Sequence, residues 1–352
     1  MTSPFRTALQ ALETPPSAKR IWHYLPYDQL SAHFLTVAPA KAGVVLIESA
    51  AKAARRPYHK QKLAYVLANM RHFALELGRL GVAVRYVQTS AGYAEALLPI
   101  TRELGPLMLA TPAERELRSE LAPLVETGAL LLHTHAGWLT TEADWDAAFA
   151  DRKGWKMDTF YRHVRTRTGL LMAQGKRGPE PEGGRFSFDV DNRKPWSGEP
   201  AAPDVPRFEP DAITREVGAL IETKFAAHPG RLDLTTLPAT HADAERLWAW
   251  AQADCLPLFG PFEDAMSTKS RGLFHTRISP LLNLHRLWPA RIVQDVATME
   301  APLESREGFV RQVLGWREFV RHVHVRTDGF RDAAPVAKHA GDGGWQIGRA
   351  HV

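Results

Sequence analysis

Apolar residues in the first half of the chain alternate between short continuous runs and longer helical periods. The short runs are typical of strands buried on both faces, and they fall at residues 20–25, 44–47, 82–87, 107–110 and 129–133. The helical periods lie between them, at residues 60–80, 91–104 and 112–126. Strands and helices that alternate in this way predict an α/β domain built on a doubly wound parallel sheet.

The second half of the chain has a different pattern. From about residue 209 the apolar positions repeat only at helical spacing, which predicts an all-α C-terminal domain. Residues 146–208 mix basic, aromatic, glycine and proline positions, and we expect them to connect the two domains. The predicted organisation is therefore a disordered leader at 1–19, an α/β domain at 20–145, the connector, and a helical domain at 209–345.

Composition limits the classes of protein to which the chain can belong. Its 352 residues carry a net charge of +5 and give a pI near 9.3, a mildly basic balance that is compatible with DNA binding. The single cysteine, Cys255, allows no disulfide framework and cannot hold an iron–sulfur cluster, which needs about four thiolates. No set of residues has metal-ligand spacing, and no apolar run is long enough to span a bilayer. Met1 to Lys19 lacks the apolar core of a secretory signal, so we expect a cytoplasmic protein.

Polar residues follow the first two predicted strands. Asp28 and Gln29 come after the first strand, and Glu48 comes after the second. Open α/β sheets bind ligands beyond the carboxyl ends of their strands, although solvated loop residues would give the same pattern. The first half contains no Gly-x-Gly-x-x-Gly sequence, so the dinucleotide fingerprint is absent.

Two segments of the second half contain candidate binding residues. Ser279 and Pro280 predict a helix start whose free N–H groups suit a pyrophosphate, with Thr276 and Arg277 as further donors; a plain capped helix is the alternative. In the predicted helix at 308–325, a tryptophan, an arginine and a glutamate follow a glycine. They could bind a planar or charged ligand, or simply belong to an amphipathic core helix.

These two segments resemble the flavin-binding segments of the photolyase/cryptochrome superfamily. Gln312-Val-Leu-Gly-Trp-Arg-Glu-Phe319 resembles its Gln-x-x-x-Trp-Arg-Glu-Phe helix, and Phe274-His-Thr-Arg-Ile-Ser-Pro280 is similar to its flavin-phosphate turn. The similarity extends from about Trp22 to Arg331 and is greatest to the bacterial deoxyribodipyrimidine photolyase-related branch, which includes iron–sulfur photolyases and cryptochromes. Further similar segments are Asp28-Gln-Leu30, Pro57-Tyr-His-Lys-Gln-Lys62, Phe160-Tyr-Arg162, Gly183-Gly-Arg185 and Phe259-Gly-Pro261.

The resemblance implies an α/β antenna domain and a helical FAD-binding domain that is incomplete in this chain. It implies light-driven repair of damaged DNA, in which excited reduced FAD passes an electron to a pyrimidine lesion. The implied flavin contacts are His275, Thr276, Arg277, Ile278, Ser279, Gln312, Trp316 and Glu318. A ribityllumazine antenna would lie near Asp28, Gln29 and Glu48, and DNA would contact Arg185 and Arg317.

The end of the chain leads us to expect a fragment. Ile347 to Val352 are the residues that ATCGGAAGAGCACACGTC encodes, and this string is found in a common sequencing adapter. We therefore expect an artefactual tail at 346–352, with an ordinary six-residue tail as the alternative. In the family, the catalytic residues and the cysteines of a 4Fe-4S cluster follow the position of Trp345. We therefore expect an inactive, monomeric fragment of a repair enzyme, of (6-4) type, that binds FAD poorly. The alternatives are a cryptochrome-type photoreceptor and a non-catalytic α/β protein that binds a lumazine or a nucleotide.

Overall fold

The computed structural model describes residues 3–12, 20–150, 154–176 and 178–332. Five parallel strands form a sheet of order β3-β2-β1-β4-β5. They are β1 (Ile21–Tyr24), β2 (Ala42–Ser49), β3 (Ala83–Thr89), β4 (Leu107–Ala110) and β5 (Leu130–His133). The strand order reverses between β1 and β4, and a crevice at the carboxyl ends of the strands is expected at such a switch.

Helices cover both faces of this sheet. They are α1 (Pro4–Gln10), α2 (Ala50–Ala54), α3 (Lys60–Arg79), α4 (Tyr93–Leu104) and α5 (Arg115–Glu126). On one face α4 and α5 pack on Val45 and Ile47, and on the other α3 packs on Val44 and Leu46. The prediction of a doubly wound parallel α/β sheet is therefore confirmed. Each predicted strand is present, and its ends lie within two residues of the predicted ends.

Part of the leader that the sequence predicts to be disordered is a helix. In α1, the Ser3 side chain accepts a hydrogen bond from the backbone N–H of Arg6, and Phe5 is fully buried. The prediction was wrong for this segment because α1 presents only two buried apolar side chains, Phe5 and Leu9, and is stabilised by contacts with residues far along the chain.

The described residues after 209 form helices and no strands, which confirms the all-α prediction. Before them lie α6 (Glu142–Phe149), α7 (Met157–Thr168) and a hairpin of β6 (Met172–Gly175) and β7 (Gly178–Pro181). The remaining helices are α8 (Ala212–Lys224), α9 (His241–Trp250), α10 (Leu256–Phe259), α11 (Ser279–Asn283), α12 (Pro289–Thr298), α13 (Leu303–Val310) and α14 (Glu318–Arg326). A π-helical stretch, Arg311–Arg317, joins α13 to α14 in one continuous helix.

The two largest hydrophobic clusters do not follow the predicted domain boundaries. Helix α8 packs on α3 and contributes Ile213, Val217 and Ile221 to the core of the α/β unit. Conversely, Phe160 and Val164 of the predicted connector lie in the core of the helical unit. Apolar spacing identifies a buried helix face but does not tell which neighbour covers it. The predicted tail at 346–352 lies outside the described residues.

No helix in the described ranges is both long and apolar enough to cross a membrane.

Candidate functional site

Two adjoining cavities lie at the carboxyl edge of the sheet, with volumes of about 240 and 330 Å³. Both are lined by Glu48 and Ser49, at the end of β2, and by Leu67 of α3. Ser49 fixes the turn into α2, because its hydroxyl donates to the carbonyl oxygen of Ala91 (2.7 Å) and accepts from the backbone N–H of Lys52 (3.1 Å). The structure therefore has a cleft beyond the carboxyl ends of the strands, where open α/β sheets bind ligands and where the sequence predicts a site; we call this expectation the strand-end rule.

The smaller cavity, which we call the aromatic cavity, is lined by Tyr27, Tyr58, Tyr93, Lys52 and Glu114. The rings of Tyr27 and Tyr93 stack with centroids 6.4 Å apart, and the ammonium of Lys52 lies 5.5 Å from the Tyr27 ring centre. The Tyr27 hydroxyl and the Lys52 ammonium both donate hydrogen bonds to the Glu114 carboxylate. Flat rings beside a few fixed polar groups suit a planar, partly polar ligand.

Glu48 lies between the two cavities, and its carboxylate is held by three side chains. Arg71 donates from Nε and Nη2 at 3.0 and 2.8 Å, the Tyr86 hydroxyl donates at 2.8 Å, and the Gln88 amide donates at 3.3 Å. Burial raises the pKa of the Tyr86 hydroxyl well above its usual value, and the negative charge of Glu48 raises it further, so Tyr86 remains a donor. The carboxylate is thus fixed in one orientation at the cavity walls.

The loop after β1 carries the other two predicted antenna residues. Burial raises the pKa of Asp28 to about 7, and the nearby Glu114 carboxylate adds to that rise. Gln29 donates its amide to the carbonyl oxygen of Ala110 at 2.9 Å. Among the described residues, Asp28 Oδ1, Gln29 Oε1 and the Tyr24 hydroxyl are buried without a hydrogen-bond partner. Three such groups on one short segment mark a place where a ligand or water would complete the bonding.

A separate groove of about 570 Å³ lies between α3 and the helical unit. It is lined by Arg277 and Ser279 from the predicted flavin turn and by Lys62, Tyr65 and Asn283. Ser279 is the first residue of α11 and makes no capping hydrogen bond, whereas the sequence predicts it to be the capping residue. Two cations, a hydroxyl and a tyrosine ring give this groove the polarity that a phosphate-bearing aromatic ligand requires.

The other residues of the predicted flavin turn face the protein interior. The His275 ring lies 3.2 Å from the carbonyl oxygen of Glu263, and the backbone carbonyl of His275 accepts from the Cys255 thiol. Thr276 and Ile278 are buried. Burial raises the pKa of Cys255 to about 12, so this thiol is inert at neutral pH. Only Arg277 and Ser279 of the five turn residues line the groove.

The three predicted flavin contacts on the helix at 308–325 lie in different environments. The Gln312 amide donates to the Glu263 carboxylate, and the Trp316 ring is 43% exposed. Glu318 is fully buried: one oxygen accepts from the backbone N–H groups of Leu139 and Thr140 and from the Thr140 hydroxyl, at 3.0, 3.1 and 2.8 Å. Glu318 therefore anchors residues 139–140 in this structure, and these internal hydrogen bonds do not favour its predicted contact with flavin.

The two residues expected to contact DNA have opposite environments. Arg185 is half-exposed, stacks on Phe188 with its guanidinium 4.1 Å from the ring centre, and pairs with Asp191. The Arg317 side chain is only 13% exposed, pairs with Glu318 at 2.7 Å, and covers the ring of Trp138 at 4.1 Å. Arg317 is thus a core residue in this structure, and this environment does not favour its predicted contact with DNA.

Most residues of the aromatic cavity carry no signal that would have identified them from the sequence alone. Glu114 follows β4, so the same strand-end rule that selected Glu48 would have found it. Tyr27 stands directly before Asp28, and Tyr93 begins the helix after β3. A lone tyrosine after a strand carries no signal by itself, because tyrosine is intermediate in burial and is common in cores. In the portion of the chain that the structure describes, no three histidine, cysteine or carboxylate side chains are grouped to hold a metal ion.

Comparison with known proteins agrees with this architecture. Residues 24–236 match the family model described as deoxyribodipyrimidine photo-lyase-related protein. The chain is 33% identical over 294 residues to a (6-4) photolyase of Agrobacterium fabrum, a match that covers 80% of this chain and 57% of that protein.

A solved structure has the same fold. It is a bacterial class III photolyase from Agrobacterium tumefaciens, with a TM-score of 0.52 at 13% identity, over 90% of this chain and 61% of that one. The chain therefore spans about three fifths of the length of these relatives. The family match covers β2 to β5, the carboxyl-edge cavities and α8, and it begins at Tyr24, the last residue of β1. The chain belongs to the deoxyribodipyrimidine photo-lyase-related protein family.

Proposed function

We propose that this chain is part of a light-driven DNA-repair flavoprotein that acts on pyrimidine lesions, with the (6-4) photoproduct as its substrate. The observation that carries the proposal is the match of residues 24–236 to the photo-lyase-related family. The 33% identity to a protein named (6-4) photolyase supports the choice of lesion. In this reaction FAD, when bound, supplies the electron, so the chain's task is to hold the cofactor and the DNA.

The groove between α3 and α11 is the best candidate for the flavin phosphates. Arg277 and Lys62 supply positive charge, Ser279 supplies a hydroxyl, and Tyr65 supplies a ring face. Because Glu318 is bonded internally and Gln312 is bonded to Glu263, neither supports a flavin contact in this conformation. The FAD proposal for this chain thus rests on the residues that line the groove. Trp316, between Gln312 and Glu318 in sequence, has an exposed ring that is available for stacking.

The carboxyl-edge cavities are the best candidates for the antenna pigment, which we propose to be a ribityllumazine. The tyrosine rings of the aromatic cavity suit the bicyclic ring. The larger cavity contributes Ser49, Thr89, Ser90 and Lys224, whose hydroxyl and ammonium groups suit a polyhydroxylated chain. Asp28 and Gln29 lie at the same edge, with buried oxygen atoms that have no partner among the described residues.

A non-catalytic pigment-binding protein is the second candidate function. It is favoured by one observation: both edge cavities lie in the family-matched segment, whereas the predicted flavin residues fall into separate environments. A cryptochrome-type photoreceptor would use the same cofactor sites and differ in the absence of repair.

An oligonucleotide with a single (6-4) photoproduct discriminates among these functions. The oligonucleotide is incubated in blue light and in the dark with two proteins. One is this chain, and the other is a longer protein extended to the length of the A. fabrum relative. The expected result is light-dependent repair by the longer protein, none by this chain, and pigment binding by both. Flavin binding by the longer protein without repair would indicate a photoreceptor. Pigment binding without flavin in either protein would indicate the second candidate.

A further inference from the structure

Helix α1 contacts all three side chains that hold the Glu48 carboxylate. The Phe5 ring meets the Tyr86 ring edge-on, with centroids 4.6 Å apart, and the Arg71 guanidinium lies 5.4 Å from the centre of the Phe5 ring. Arg6 donates from Nε and Nη2 to the amide oxygen of Gln88, at 3.2 and 2.8 Å. Arg6 Nη1 also donates to the backbone carbonyl of Tyr86 at 3.2 Å.

A carboxylate of α8 fixes this helix in place. Glu216 accepts from the Ser3 hydroxyl at 2.6 Å and from the backbone N–H of Phe5 at 3.1 Å. The same carboxylate pairs with Arg71 at 3.2 Å, so Arg71 bridges Glu216 and Glu48. Helix α1 is therefore built into the network around Glu48, although it precedes Tyr24, where the family match begins.

The contact with Arg6 determines which end of the Gln88 amide faces the larger cavity. Because Arg6 donates to the amide oxygen, the NH₂ group is turned toward Glu48, which lines the same cavity as Gln88. An NH₂ group has two protons, and Glu48 accepts one of them. The second proton is the donor that the following proposal assigns to a ligand.

We propose that Arg6 is a positioning residue for the carboxyl-edge site, through which Gln88 presents a hydrogen-bond donor to the ligand. The inference rests on the proposed pigment site, and it assigns to α1 a role in ligand selection: a ligand with an acceptor atom, such as a carbonyl or hydroxyl oxygen, is favoured at this wall. Phe5 and Glu216 hold the helix so that Arg6 reaches Gln88.

Substitution of Arg6 tests the proposal with 8-ribityllumazine as the probe. Arg6→Met keeps the aliphatic stem and removes every donor, whereas Arg6→Lys keeps the positive charge on a single ammonium group. Arg85→Met is the matched control, because Arg85 lies on the same strand as Gln88 but pairs with Glu103 at 2.7 Å. We expect Arg6→Met to weaken probe binding about tenfold and to shift the absorption maximum of the bound probe. Arg6→Lys should recover part of both effects, and Arg85→Met should bind as the wild type does.

A second readout does not depend on the ligand. The side-chain amide protons of Gln88, assigned by their loss in Gln88→Glu, should exchange slowly with solvent in the wild type. In Arg6→Met they should exchange faster, and their chemical shifts should move toward those of a solvent-exposed glutamine. Wild-type affinity, spectrum and amide signals in Arg6→Met would overturn the proposal. If the wild-type protein binds no ribityllumazine, the proposed pigment is wrong, and the amide signals alone then decide whether Arg6 positions Gln88.

Discussion

His285 donates its Nδ1 proton to the backbone carbonyl oxygen of Asp28, 2.6 Å away, and so joins the helical unit to the loop at the carboxyl edge of the sheet. The other ring nitrogen lies 3.4 Å from the Arg317 guanidinium. Burial lowers the pKa of His285 to about 3, and the charge of Arg317 lowers it further, so the ring is neutral with its proton on Nδ1. The position of the Asp28 loop therefore depends on a residue 257 positions away.

Because of this bond, we expect substitutions of His285 to lower the free energy of unfolding by different amounts. Its backbone has φ = +59°, a conformation that asparagine adopts more readily than other non-glycine residues, and an amide can donate to the Asp28 carbonyl. We expect His285→Leu to lower the free energy of unfolding by about 2–4 kcal/mol, from the lost bond and the strained backbone, and His285→Asn to lower it by roughly half as much. Urea denaturation of both variants measures the difference, and equal losses would contradict this role for the ring.

Asp28 should make stability fall as pH rises through the weakly acidic range. The folded protein keeps the Asp28 proton up to about pH 7, whereas the unfolded chain loses it near the ordinary value of 3.8. Between these values the folded state binds more protons, so the free energy of unfolding decreases with rising pH by at most about 1.4 kcal/mol per pH unit. Asp28→Asn should remove this contribution. Subtracting the stability–pH profiles of the two proteins isolates it, and parallel profiles from pH 4 to 7 would show that the pKa is not raised.

Glu318 anchors residues 139–140, and its charge should matter more than its shape. In Glu318→Gln the amide would place donors against the N–H groups of Leu139 and Thr140 and would leave the buried Arg317 unpaired. We expect a loss of about 3–5 kcal/mol in thermal or urea unfolding. Glu300→Gln, at an exposed position, is the control and should change stability by less than about 0.5 kcal/mol. A small loss in Glu318→Gln would mean that the carboxyl is already protonated in the folded protein.

Gly315 allows the π-helical stretch to pack closely on α7. A β-carbon at this position would lie 3.0 Å from the Met157 sulfur and 3.3 Å from Cδ2 of Tyr161. Gly315→Ala should therefore destabilise the protein by about 1–3 kcal/mol, even though alanine favours a helix. Adding Met157→Ala should recover part of that loss, whereas Gly154→Ala, which meets nothing within 4 Å, should be nearly neutral. Additive losses in the double variant would exclude the steric explanation.

The sequence predicts the sheet well because its strands are short apolar runs separated by helices, and few folds are compatible with that pattern. It does not predict α1, whose stability comes from Glu216 and Tyr86, more than 80 positions away. Likewise, helical spacing places Glu318 on a helix but leaves open whether a ligand or the backbone of Thr140 occupies its carboxylate.

The same limit applies to the site residues. Asp28 and Glu48 were found because chain position fixes the end of a strand, and parallel strands end at one edge. The sequence could not separate two environments for Arg317, because an arginine beside a tryptophan is typical both of nucleic-acid contacts and of a buried stack such as that on Trp138. Only the three-dimensional neighbours separate these two cases.

The most direct test of the proposed repair function is the dependence of (6-4) photoproduct repair on the wavelength of light. The protein to use is the longer one, with bound pigment and flavin, and the comparison is with Lys52→Met in the aromatic cavity. We expect repair only in light, with the part driven by pigment absorption reduced in Lys52→Met and the part driven by flavin absorption unchanged. Absence of light-dependent repair at every wavelength would contradict the repair function. Repair with identical wavelength profiles in both proteins would contradict the assignment of the carboxyl-edge site to the pigment.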